Sequence, residues 1–137
     1  MIQEAYVSYE VAKMLKEKGF DIPCCHYYED NKITNNSLLP GVWNKEEDLL
    51  SAPTHQMAVA WLSVKGIDIT VKPEFSTEAE PRVDFFIGYY SEIYVIEKAV
   101  FVEEITLKVE EEYGFAPYDS YEEAVEAALK YALENLI

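Results

Sequence analysis

The longest unbroken apolar run in the chain is Met57 to Leu62, within the stretch Ser51 to Lys72. Its polar neighbours stand only at the ends, Thr54-His55-Gln56 before it and Ser63 and Lys65 after it. That pattern predicts a helix apolar round most of its circumference, which has to be covered on more than one side. Gly66 supplies a left-handed residue to stop it. Ile67, Ile69 and Val71 then alternate with Asp68, Thr70 and Lys72, the period of a half-buried strand, and Pro73 is expected to close that strand. A helix turning at once into a strand beneath it is thus the predicted architectural centre.

Two further helices frame it. Ser8 is placed to cap a helix from Tyr9 to Lys18, with Val11, Met14, Leu15 and Lys18 on one stripe and Gly19 as its stop. Near the other end, Ser120 and Glu123 have capping-box spacing. Ala124, Val125, Ala128, Leu129, Ala132, Leu133 and Leu136 continue as an apolar stripe. Glu126 and Lys130 are spaced to pair on the outer side of that helix.

The rest reads as strands and loops. Cys24 to Tyr28 has strand composition, Glu29 to Lys32 reads as a turn, and Ile33 begins a return strand. A loop of about 16 residues follows, from Asn35 to Leu50, long enough to draw attention as functional or as hiding an edge strand. Within it, Pro40-Gly41 suits a type II turn. Glu74 to Pro81 reads as a polar acidic loop. Arg82 to Tyr90 alternates as a strand, and further strands are predicted near 93–97 and 100–108, with a helix over part of 99–112 as the rival assignment. The resulting fold class is α+β: helix, hairpin, helix, antiparallel strands, helix, with the helices largely on one face of the sheet.

Length and composition add bounds. A chain of 137 residues, half of them hydrophobic, is one domain in size, 1–137, and needs no metal or disulfide staple. The start, MIQEAYVS, has no signal-peptide pattern. No apolar run approaches the about 20 residues of a membrane span. A soluble cytoplasmic protein is the expectation. The net charge is −15. Counting Lys and Arg against Asp and Glu gives −2 over 1–32, −1 over 33–72 and −12 over 73–137. Such a field repels nucleic acid and anionic membrane and attracts a basic partner; it also simply solvates a small protein.

Candidate chemistry is sparse. Cys24 and Cys25 are adjacent, which disfavours a disulfide between them, so free thiols are expected. On a strand, Cys24 and His26 would share a face, making them weak candidates for a thiolate–imidazole pair or a metal site. No zinc-ligand spacing is present, and a cysteine among aromatics is more often a small buried hydrophobe. No metal and no cofactor are expected. His55 falls in the first turn of the central helix, where backbone N–H groups can hold an anion, against the plainer reading that Thr54 or Ser51 caps that helix. The scattered glycines form no phosphate loop. Eleven tyrosines are a better clue to function than the thiols: tyrosine is enriched at interfaces, and equally it serves alternating strands as a half-buried residue; Tyr27, Tyr28, Tyr90 and Tyr94 are the interface candidates.

Three segments carry a resemblance: Tyr6 to Phe20 (YVSYEVAKMLKEKGF), Ser51 to Leu62 (SAPTHQMAVAWL) and Tyr121 to Leu133 (YEEAVEAALKYAL). Together they resemble a family of small uncharacterised proteins of gut anaerobes and their phages. The region 92–112 is longer here than the family pattern. The resemblance implies a phage or mobile-element setting, and no activity, cofactor or catalytic residue comes with it. The leading functional expectation is a non-catalytic accessory protein acting through an unknown protein partner, basic in one version, with a homo-oligomer left open. One alternative is an acidic decoy that occupies the nucleic-acid site of a basic host protein. Another is a thiol enzyme or metal protein using Cys24 and His26.

Overall fold

The structure is a computed structural model and describes residues 4–35 and 39–137. It is a mixed α+β fold with three helices: α1 (Tyr9–Glu17), α2 (His55–Val64) and α3 (Tyr121–Asn135). Among the described residues there are also eight strands: β1 (His26–Glu29), β2 (Lys32–Asn35), β3 (Leu50–Ser51), β4 (Ile67–Ala79), β5 (Arg82–Glu97), β6 (Val100–Leu107), β7 (Val109–Glu111) and β8 (Gly114–Ala116). The strands do not form the single sheet expected. They make three antiparallel sheets, ordered β2-β1-β3, β4-β5-β6 and β7-β8.

The caps are where the sequence places them. Ser8 Oγ accepts from the Val11 N–H at 3.2 Å, Thr54 Oγ1 from Met57 at 3.2 Å and Ser120 Oγ from Glu123 at 3.1 Å, each satisfying a first-turn donor. The core joins all three helices to the middle sheet. Leu15 of α1, Leu62 of α2 and Leu129 and Leu133 of α3 are buried with Phe20, Ile67 and Ile93. Ser91 of β5 is also fully buried, and its hydroxyl donates to the Ala124 carbonyl at 2.5 Å. A polar group in that position is tolerated because its bond is made.

Several boundaries depart from expectation. β4 runs through Pro73 to Ala79, so the predicted acidic loop is a strand. Its other side borders no strand among the described residues, and a residue without an N–H is acceptable on an edge. β5 is continuous from Arg82 to Glu97 and turns into β6 through Lys98 and Ala99, both at positive φ (49° and 63°). The rival helix over 99–112 does not form; β6 and β7 occupy that stretch. The strand expected from Cys24 begins only at His26, and Cys24 instead forms a bridge with Gly41 through hydrogen bonds of 2.9 and 3.0 Å. That bridge replaces the type II turn assigned to Pro40-Gly41, since Gly41 is not at positive φ.

Of the expected long loop, residues 36–38 lie outside those described. The remainder is tied down. Lys16 Nζ donates to the carbonyls of Glu46, Glu47 and Leu49 at 2.7, 3.1 and 2.9 Å, and Asn44 bonds both Phe20 and Ser51. The loop also ends in an edge strand, β3.

α2 is not enclosed as its composition suggests. Ala58 and Leu62 are buried, but Val64 is 90% exposed and Trp61 is half-buried. Trp61 lies edge-on to Phe20 at 5.4 Å, under the Lys65 ammonium at 4.5 Å. One face of α2 therefore does the packing, and Met57, Ala60, Trp61 and Val64 line a groove on the other with Ile22. Among the described residues, no helix is long and apolar enough to cross a membrane.

Candidate interaction surface

The thiols are not arranged for chemistry. Cys24 is buried, and its Sγ lies 3.3 Å from the Ile22 carbonyl, to which it donates. Burial first, and the neighbouring Cys25 second, push its pKa up to about 11. At neutral pH it is a thiol, not a nucleophile. His26 lines the same groove as Cys24 and Cys25, but its ring is packed 4.1 Å from that of Tyr6 and makes no hydrogen bond to either thiol among the described residues. Among the described residues, no three His, Cys, Asp or Glu side chains come together as metal ligands.

His55 is drawn into a polar clamp that the sequence did not announce. Its Nε2 lies 2.8 Å from Glu126 Oε1, which also accepts from the Ser8 N–H at 2.7 Å, while Glu126 Oε2 accepts from Ser8 Oγ at 2.9 Å. One carboxylate thus joins the N-cap of α1, the first turn of α2 and the second turn of α3. Burial pushes the Glu126 carboxyl up, but the bonds from His55 and Ser8 outweigh it and hold the group below the ordinary carboxylate range. Ser, His and Glu meet here in the wrong order for a nucleophile. The carboxylate sits between the other two, so Ser8 donates to Glu126 and not to the imidazole. Glu126 is therefore no partner of Lys130, which pairs with Glu10 at 3.0 Å. The anion site considered at the start of α2 is also taken up: the His55 N–H donates to the Ala5 carbonyl at 2.9 Å, and Met57 to Thr54.

All four candidate tyrosines are half-buried and have neighbours within the protein. Tyr27 packs on Trp43 at 4.7 Å, and the Tyr28 hydroxyl donates to the Val7 carbonyl at 2.7 Å. Tyr90 and Tyr94 belong to the face of the middle sheet turned away from the helices. Tyr94 donates to Glu92 Oε2 at 2.5 Å, a bond that, with desolvation, lifts its hydroxyl to about 12. Glu92 also receives Lys72 at 2.9 Å, and these two donors hold its carboxyl down. Beside them Lys108 lies over the Tyr90 ring and meets one oxygen of Glu74.

Exposed apolar surface lies elsewhere, on the distal half of the β4–β5 hairpin and, as a separate stretch, at Val100, Phe101 and Val102 of β6. Phe75 and Phe86 are 55% and 52% exposed, and Val83, Phe85 and Ile87 are exposed as well. An aromatic row runs from this arm to the start of α3: Phe75 to Phe86 at 6.2 Å, Phe86 to Tyr89 at 5.1 Å and Tyr89 to Tyr121 at 5.7 Å. The arm has a fixed base. Tyr89 and Tyr118 exchange hydrogen bonds of 2.9 and 2.7 Å, and Gly88, at φ 147°, packs against Pro117 and Tyr118. Next to that base the β7–β8 hairpin exposes Phe115 and Tyr113. The one sequence signal for the arm was Phe85-Phe86-Ile87, which places apolar side chains on both faces of a strand.

Comparison with known protein families, with curated proteins and with solved structures finds no match for this chain.

Proposed function

We propose that this protein works by binding another protein, as a non-catalytic accessory factor in a phage or mobile-element setting, and that the β4–β5 arm is its binding surface. The observation that carries this reading is the arm itself. Phe75, Val83, Phe85, Phe86 and Ile87 are exposed on a ribbon that contributes nothing to the core, and an apolar patch that a monomer does not bury marks an interaction site. The locked base supports the same reading, because a pre-organised surface loses little freedom on docking. The buried, protonated thiol of Cys24 and the internal use of Glu126 weigh against catalysis. An acidic decoy is less well supported, since Glu103 and Glu104 lie on β6, Glu110 and Glu111 on β7, and Glu122 and Glu123 on α3, with Glu126 turned inward. The partner class is a protein with basic character, and the cytoplasm is the setting.

The experiment is affinity capture from the native host with tagged wild type and the Phe85→Ser/Phe86→Ser variant. Both side chains are exposed, so the variant is expected to keep its stability to within about 0.5 kcal/mol. A protein retained by wild type and lost by the variant supports the reading. Equal retention by both rejects the arm as the surface.

A further inference from the structure

Resting on the reading that the arm binds a protein, we propose how it does so: an extended partner segment, with apolar residues alternating with lysine or arginine, adds as a strand to the open edge of β5 between Arg82 and Gly88. β6 covers that side of β5 only from Ser91 to Glu97, and Tyr118 takes it at Tyr89. From Arg82 to Gly88, β4 is the sole strand beside β5 among the described residues. Alternate residues of an antiparallel strand direct their N–H and C=O groups to each side, so this edge offers backbone groups for a further strand.

The two edges of the arm are not equivalent. β4 carries Pro73 and Glu78, a proline and a charge of the kind that keep an edge from pairing. β5 has no proline between 82 and 88, and its two charges there, Arg82 and Asp84, stand 4.0 Å apart and offset each other, which leaves the run Phe85-Phe86-Ile87 without net charge. Of the exposed apolar side chains of the arm, Val83, Phe85, Phe86 and Ile87 lie on β5 and Phe75 on β4, so the β5 edge has more to offer a partner.

Charge selects the occupant. The β7–β8 hairpin leaves the sheet after Leu107, opposite Ser91, and the chain returns at Tyr118, opposite Tyr89. It thus emerges on the side of β5 that the open edge faces, bringing Glu110, Glu111 and Glu112. The edge adds Asp84 against Arg82. A second copy would set this acidic surface against itself, whereas a lysine- or arginine-bearing strand complements it.

The test uses the full chain with a short synthetic peptide of alternating lysine and valine, and the matching glutamate–valine peptide, followed by amide hydrogen exchange in NMR. The lysine–valine peptide is expected to slow exchange about tenfold or more at alternate residues from Arg82 to Phe86, short of the bulge that leaves Ile87 without a partner on β4, with the glutamate–valine peptide without effect. In Phe85→Lys, which leaves the fold untouched and places a like charge on the edge, that protection is expected to fall about tenfold. Binding that shifts only other resonances, such as those of β6 or α3, overturns strand addition. Protection of the same amides by raising protein concentration alone also overturns it, because the occupant is then a second copy. If no peptide protects the edge while Phe85→Ser/Phe86→Ser still abolishes capture, strand addition fails and protein binding stands; if capture is unaffected, the underlying reading fails.

Discussion

Gly88 lies against the backbone of Tyr118 so closely that a Cβ at position 88 would stand 2.5 Å from the Tyr118 carbonyl oxygen. Its φ of 147° is also a conformation that side-chain-bearing residues avoid. Backbone cannot give way here as a flexible side chain can, so Gly88→Ala is expected to cost about 2–4 kcal/mol, read from denaturant unfolding. A loss below about 0.5 kcal/mol would show that the base of the arm is not fixed.

Glu126 makes stability depend on acid. Its folded pKa is depressed, so its contribution is complete above its ordinary value of 4.5 and is lost as pH falls through the lower folded value. Glu126→Gln removes that dependence. It is expected to cost about 2 kcal/mol at neutral pH and to narrow the gap to wild type as the pH is taken down through the acid range. Unfolding free energies of both proteins across that range check this; parallel curves would contradict it.

The turn from β5 to β6 is made by Lys98 and Ala99, both left-handed, a shape that asparagine and glycine adopt readily. Replacing the pair with Asn-Gly is expected to stabilise the protein by about 1 kcal/mol, visible as a higher thermal midpoint.

That turn also explains a failure of the sequence reading. Strands near 93–97 and 100–108 were legible and meet at this turn, but Lys-Ala carries no turn signal, so a helix over part of 99–112 was left as a rival. Glu74 to Ala79 was read as a loop for a different cause: those residues are held by pairing with β5, and period-2 reading detects burial, which Phe75 to Ala79 lack. The helices were legible because Ser8, Thr54 and Ser120 act locally on the next turn. The clamp at Glu126 was not, because Ser8 and His55 reach it across the fold, and spacing alone offered Lys130. Likewise α2 looked apolar all round, yet only contact decides which apolar face a neighbour covers.

Mutations along α2 separate its two faces. Leu62→Ala, in the core, is expected to cost about 2–5 kcal/mol, whereas Val64→Ala should stay within about 0.5 kcal/mol. Trp61→Ala falls between them, at about 2 kcal/mol, because that side chain packs against the core but is only partly buried. Equal losses at Leu62 and Val64 in denaturant unfolding would mean that α2 is enclosed on both sides.

The reading that the arm is kept exposed for a partner is tested most directly by hydrogen exchange of the chain bound to the protein it retains from its host. Peptides covering residues 74–88 are expected to exchange about tenfold more slowly in the complex than in the free chain, with Met57 to Val64 unchanged. Protection confined to the Met57–Val64 groove, with 74–88 exchanging as in the free chain, would contradict it and move the binding surface to α2.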